Sequence, residues 1–168
     1  MKYRAFHACL DALADNKADI GPSVSIKVPS IGTRHIGISN KKIEKNHRFI
    51  FFPVKIYGDT NANTLGSGGP KINLPPTAEG YTGSRHLNML LLDRETKIIE
   101  RYEPFDQHLY FDQINELLEP LLYKLMEQRK IYFLKYQTTL NSESVLNDKN
   151  CGMYCLKYVK KRITECTT

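Results

Sequence analysis

The spacing of apolar positions along the chain switches between helical and strand-like periods, and the switches lay out its elements. Residues 2–14 place Phe6, Cys9, Leu10 and Leu13 on one side of an amphipathic helix. Over 20–36, Val24, Ile26 and Val28 alternate with polar residues between Pro22, Pro29 and Gly32, which predicts a short strand or extended segment. Residues 48–57 are dense in β-formers and predict a strand. Pro53 inside it predicts a bulge or an unpaired side, because proline cannot donate to a ladder. Glycines and prolines crowd 58–85, a long loop of the kind that carries function or moves. Residues 86–103 then read as a strand hairpin, and 109–128 as a helix that Pro120 should kink or divide. A strand over 130–136, a polar loop over 137–150 and a last helix over 151–164 complete the pattern. Tyr154, Cys155, Tyr158, Val159 and Ile163 form the apolar stripe of that helix. The sum is an α+β fold: a mixed or antiparallel sheet of about four or five strands flanked by helices.

Composition sharpens this picture in three ways. The chain has 168 residues, 41% hydrophobic and 25% charged, which suits one globular domain over 1–168 and excludes a disordered chain. No apolar run approaches the ~18 residues of a membrane span, and the N-terminus lacks a signal-like core. The expectation is an intracellular protein in a reducing compartment, with no membrane partner. The four cysteines show no disulfide spacing, and Cys151 and Cys155 have no second pair with which to hold a metal. Cys9 and Cys155 read as small buried hydrophobes. The net charge of +6 gathers at Lys41, Lys42 and Lys45, from Lys124 to Lys130, and from Lys157 to Arg162. Solvated helix faces are the plain reading of these clusters, and attraction to nucleic acid or an acidic partner is the sharper one.

Three residues combine into candidate chemistry. A hairpin loop centred between Arg94 and Glu95 sets Leu92 opposite Lys97, Leu90 opposite Ile99 and His86 opposite Glu103. Opposite residues share a face with Cβ atoms about 5 Å apart, so this register places a carboxylate beside an imidazole. A slip of one residue would separate them. Cys151 opens the last helix, where the dipole and a nearby imidazolium lower a thiol pKa. His86 can serve as general base and then general acid, and Glu103 can orient it. Gly152 leaves room for a substrate backbone, and the N–H groups of that helix start can hold an oxyanion. Taken singly, each residue has a plainer reading: a hydrogen-bonded strand-end histidine, a solvated glutamate, a core cysteine. Their order and context favour the joint one.

His86, the run Arg101-Tyr102-Glu103-Pro104-Phe105 and the run Asn150-Cys151-Gly152-Met153-Tyr154-Cys155 resemble the adenain and Ulp-like cysteine peptidases. In that clan a histidine precedes an Asp or Glu at a similar spacing, and Cys-Gly follows at a helix start. The Glu-Pro-Phe wording looks most like adenovirus-type maturation proteases and their relatives in large DNA viruses and virophages. The resemblance spans about residues 48–164 and leaves 1–47 unmatched. It implies a cysteine-protease-like fold and a thiol endopeptidase that processes viral capsid or core precursors, in the virion or in the host cytoplasm or nucleus. Other implied activities are an isopeptidase removing ubiquitin-like tags, an effector acetyltransferase with the same trio, and an inactive binding module. No cofactor is required, although DNA or an activating peptide fits the resemblance.

The chain departs from the family at two points. Leu87 stands where a tryptophan usually follows the histidine, and Ser144 and Val145 stand where an oxyanion glutamine is usual. Candidate oxyanion donors are therefore Gln137, Asn147, Asn150 and Gly152. Candidate cleft residues are Gly68, Gly69, Leu87 and Asn88.

Overall fold

A computed structural model describes residues 3–28, 35–43, 46–59, 83–104, 108–129, 131–140 and 151–167. Its elements are α1 (Tyr3–Ala14), β1 (Asp19–Ile20), β2 (Val24–Val28), β3 (His35–Ile38), β4 (Phe49–Asp59), β5 (Gly83–Asp93), β6 (Ile98–Glu103), α2 (His108–Arg129), β7 (Lys135–Leu140) and α3 (Cys151–Thr167). The fold is α+β. Among the described residues, one mixed sheet of 7 strands runs β3-β2-β4-β5-β6-β7, with β1 also on β4. It exceeds the expected four or five strands because β1 and β3 are too short to show a period. No helix among the described residues is long and apolar enough to cross a membrane.

The long strand β4 is apolar at nearly every position because both of its faces are covered. Ile50, Phe52, Val54 and Ile56 point one way and Phe49 and Phe51 the other, and all are buried. Strand β6 shows which helix lies on which side. Arg101 reaches Asn115 of α2, while its neighbour Tyr102 stacks on Tyr158 of α3 at 4.4 Å. Successive strand residues face opposite ways, so α2 and α3 cover opposite faces of the sheet at β6. Helix α1 packs beside α3, which ties the unmatched N-terminal residues to the helix that begins at Cys151.

Pro53 has the unpaired side expected of it, and there is no bulge against β5, where it faces Met89 in register. Strands β1 and β2 lie end to end along β4, pairing with residues up to Phe51 and from Val54 onward. The Gly21 N–H bonds the Phe51 carbonyl, so the backbone of Phe51, and of Pro53 two residues on, faces this edge. The absent proline N–H falls in the gap between the two ladders. In that gap a Cβ on Gly21 would lie 2.5 Å from the buried Phe52 ring. Gly21→Ala is expected to cost about 1–3 kcal/mol, the range for overpacking a filled core, read as a lower urea midpoint at constant m-value.

Several boundaries differ from the pattern. The last strand begins at Lys135, not 130, and takes Gln137–Leu140 from the expected loop. The run at 131–134 is apolar but lies ahead of the strand, joined to the hairpin loop by the Leu134 N–H on the Lys97 carbonyl at 2.7 Å, with Tyr132 and Leu134 exposed and Phe133 against Tyr123 at 4.7 Å. Helix α2 continues through Pro120, with Leu118 and Leu122 buried on either side of it. Cys9, expected inside, is exposed; Phe6, Leu10 and Ala14 form the buried side of α1.

Candidate active site

The hairpin that carries His86 and Glu103 differs in register from the expectation. Leu92 faces Ile99 instead of Lys97, and Leu90 faces Arg101 instead of Ile99. The loop is longer than a tight turn. Lys97 takes a left-handed φ of 60°, and its N–H bonds the Asp93 carbonyl at 2.7 Å. The Asp93 carboxylate accepts from the Glu95 N–H at 2.9 Å and is clamped by Arg48 through two 2.9 Å bonds. The shift is two residues, an even number, so every side chain keeps its face. Carried one step further, this register sets Glu103 opposite Asn88 and diagonal to His86. The long glutamate side chain covers the diagonal. Its Oε1 lies 2.6 Å from His86 Nε2, and both residues are fully buried.

Helix α3 begins beside this pair. The ladder between β5 and β6 ends at Met89 and Tyr102, and Pro104, which has no N–H, stands beyond it. There the Leu87 backbone meets α3 instead. Its N–H bonds the Cys151 sulfur, and its carbonyl accepts from the Cys155 thiol at 3.7 Å. Cys151 also lies close enough to the His86 ring for each to shift the proton affinity of the other. The structure thus brings His86, Glu103 and Cys151 together, from β5, β6 and the first residue of α3.

The electrostatics of the three are linked. Burial disfavours the charged imidazole. The charge and hydrogen bond of Glu103, with the neighbouring Cys151, outweigh it and raise His86 to about 9. Burial pushes the Cys151 thiol up, but the adjoining His86 ring and its charge, with the Leu87 N–H, pull it below its ordinary value against opposition from Glu103. Both shifts favour a thiolate–imidazolium pair, which titrates as a unit. One turn along, Cys155 is fully buried and pushed well up, so it stays a thiol. The 2.6 Å contact with a carboxylate also assigns the proton on His86 Nε2, because a lone pair there would repel Glu103.

The remaining candidates are scattered. Gly152 is buried in the first turn of α3 next to Cys151. Gln137 lies on β7 opposite Glu100 and donates to its carboxylate at 3.5 Å. Leu87 and Asn88 are buried, so neither presents a side chain to an open cleft as expected; Leu87 serves through its backbone. Asn88 belongs instead to the polar network behind Glu103. Its Nδ2 donates to Glu103 Oε2 at 2.9 Å and its Oδ1 accepts from Arg101. A flipped amide would set oxygen against carboxylate and donor against guanidinium, so its orientation follows from its partners. Gly68, Gly69, Asn147 and Asn150 lie outside the described residues. Sequence reading missed Arg101 and Asn115. A visible signal was the spacing of Arg101 and Glu103, two apart on one strand and therefore on one face.

No family model matches the chain. Uncharacterized protein 082L of Invertebrate iridescent virus 3 is 26% identical over 171 residues, covering 96% of this chain and 88% of that protein. Among solved structures, ChlaDub1 of Chlamydia trachomatis shares 12% identity over 70% of this chain and 49% of its own, with a TM-score of 0.40. The Chlamydia abortus effector ChlaDUB shares 9% over 73% and 50%, at 0.41. The Legionella pneumophila effector RavZ shares 11% over 86% and 41%, at 0.43. The chain spans half or less of each of these structures, and likeness at this level does not bear on chemistry.

Proposed function

We propose that the chain is a cysteine peptidase in which Cys151 is the nucleophile, His86 the acid–base and Glu103 the residue that orients it. The observation that carries this reading is the buried imidazole held at 2.6 Å by Glu103 and set beside the thiol that opens α3, close enough that each shifts the proton affinity of the other. With Nε2 committed to Glu103, Nδ1 is the nitrogen left to exchange a proton with the sulfur during the reaction. The Cys151 thiolate attacks the substrate carbonyl carbon and forms a C–S bond. The resulting oxyanion is held by backbone N–H groups of the first turn of α3, including that of Gly152. His86 gives its proton to the departing amine, which breaks the C–N bond and leaves a thioester. Water, deprotonated by His86, then releases the acid and restores the thiol. No cofactor enters these steps.

The substrate is a protein. The sequence resemblance to virion-maturation peptidases and the similar iridescent-virus protein favour a viral structural precursor cut after small residues such as glycine. Incubation with virion precursor proteins, followed by mapping of new N-termini, tests this. New ends should appear with the wild type and not with Cys151→Ala. Capture of Cys151 by a glycine-ending ubiquitin-like electrophile would replace the precursor reading with an isopeptidase. Stable acetylation of protein lysines from acetyl-CoA would replace it with acyl transfer. Activity on a peptide substrate that is unchanged by DNA at low salt would remove nucleic acid as a cofactor.

A further inference from the structure

We propose that Arg101 is a positioning residue for the acid–base pair: it holds one oxygen of Glu103 so that the other is presented to His86, and its charge offsets the carboxylate. The proposal rests on the reading of His86, Glu103 and Cys151 as the catalytic set. Arg101 is among the largest fully buried side chains of the molecule. A guanidinium stays charged inside a protein, so it needs a counter-charge where water is excluded. Glu103 provides one: Arg101 Nη1 donates to Oε2 at 3.2 Å and also to Asn88 Oδ1. Asn88 completes the clamp by donating to the same Oε2. Two donors thus fix Oε2 and leave Oε1 for the imidazole.

The other side of the guanidinium is anchored as well. Arg101 Nε donates to Asn115 Oδ1 at 3.2 Å, and the Tyr136 hydroxyl donates to that same oxygen at 2.6 Å. Glu103 is therefore braced through one planar fork against α2 and β7. Lysine carries the charge but cannot make both contacts from a rigid plane.

The groups that set proton affinity here come from every neighbouring element: His86 on β5, Arg101 and Glu103 on β6, Tyr136 on β7, Glu119 on α2, and Cys151 and Cys155 on α3. Removing the positive charge of Arg101 strengthens proton binding at both Cys151 and His86. Changing the fork but keeping the charge alters geometry alone. The two effects separate experimentally. In Arg101→Gln, the pH at which Cys151 becomes alkylated by iodoacetamide should move upward from the wild-type position. In Arg101→Lys, that pH should stay, while kcat on a cleaved peptide falls by up to about 100-fold with KM unchanged, as expected of a misplaced acid–base. If Arg101→Gln does not fold, Arg101→Lys carries the test by its split between kcat and KM. Full kcat in Arg101→Lys, or an unmoved alkylation limb in folded Arg101→Gln, overturns the positioning role. A wild type whose Cys151 alkylates like a free thiol overturns the catalytic reading instead, so the two failures are distinct.

Discussion

Cys151→Ala is expected to lower kcat/KM for peptide cleavage by about five to six orders of magnitude, the scale seen when a covalent nucleophile is deleted. The argument starts from one atom. The sulfur receives the Leu87 N–H, lies beside the His86 ring and heads a helix, and these surroundings favour its anionic form. Nothing at that position in the alanine variant can form a thioester, so only oxyanion and binding effects remain. The fold should survive. Alanine is the best helix former, and the structural loss is the sulfur's interactions with the Leu87 N–H and the His86 ring, about 1–3 kcal/mol. Steady-state kinetics beside a thermal unfolding curve separate the two effects. A variant with near-native melting and a large fraction of native rate would show that the thiol is not the nucleophile.

Glu103→Ala should be the most destabilising change at the site, by about 3–5 kcal/mol, because it strands a buried guanidinium. Arg101 and Glu103 are both fully buried, and their ion pair is part of one network with Asn88. A urea titration reads this as a large fall in midpoint. Glu103→Gln asks a different question, because it keeps the shape. Its amide oxygen can accept from Arg101 and Asn88, which turns the NH₂ toward His86 Nε2. That nitrogen must then carry the lone pair, and Nδ1 the proton, which is the wrong tautomer for taking a proton from the thiol. A rate loss of about 10⁴ follows from such a tautomer change in the analogous serine triad. Comparable rates for Glu103→Gln and the wild type would show that the carboxylate does not orient the imidazole.

Much of the site was legible because it depends on short-range rules. The density of β-formers located β4, and cross-strand pairing located β5 and β6 and put His86 and Glu103 on one face even though the hairpin register was off by two. The error came from the loop. Asp93 caps it and Lys97 adopts φ 60°, and a lysine in that conformation gives no advance signal. Strands β1 and β3 escaped notice because two and four residues are too few to show a period. Strand β7 was misplaced for the opposite reason. The run at 131–134 is as apolar as a strand, while Gln137, Thr138 and Thr139 are polar and pair with β6 all the same. The polar network was hidden too. A buried arginine is rare without a partner, and only tertiary packing showed that Arg101 and Asn88 converge on Glu103 while Asn115, held by Tyr136, braces Arg101.

The account turns on a thiolate–imidazolium pair between Cys151 and His86. The most direct measurement is the pH dependence of iodoacetamide alkylation at Cys151, followed by peptide mass spectrometry in the wild type and in His86→Ala. His86 holds its proton up to about 9, so below that pH its positive charge should stabilise the thiolate. The account predicts rapid alkylation well below the ordinary thiol range in the wild type. In His86→Ala it predicts a shift of that limb to higher pH. Alkylation that rises only at about pH 8.5, the free-thiol value, and does so identically in both proteins would contradict it.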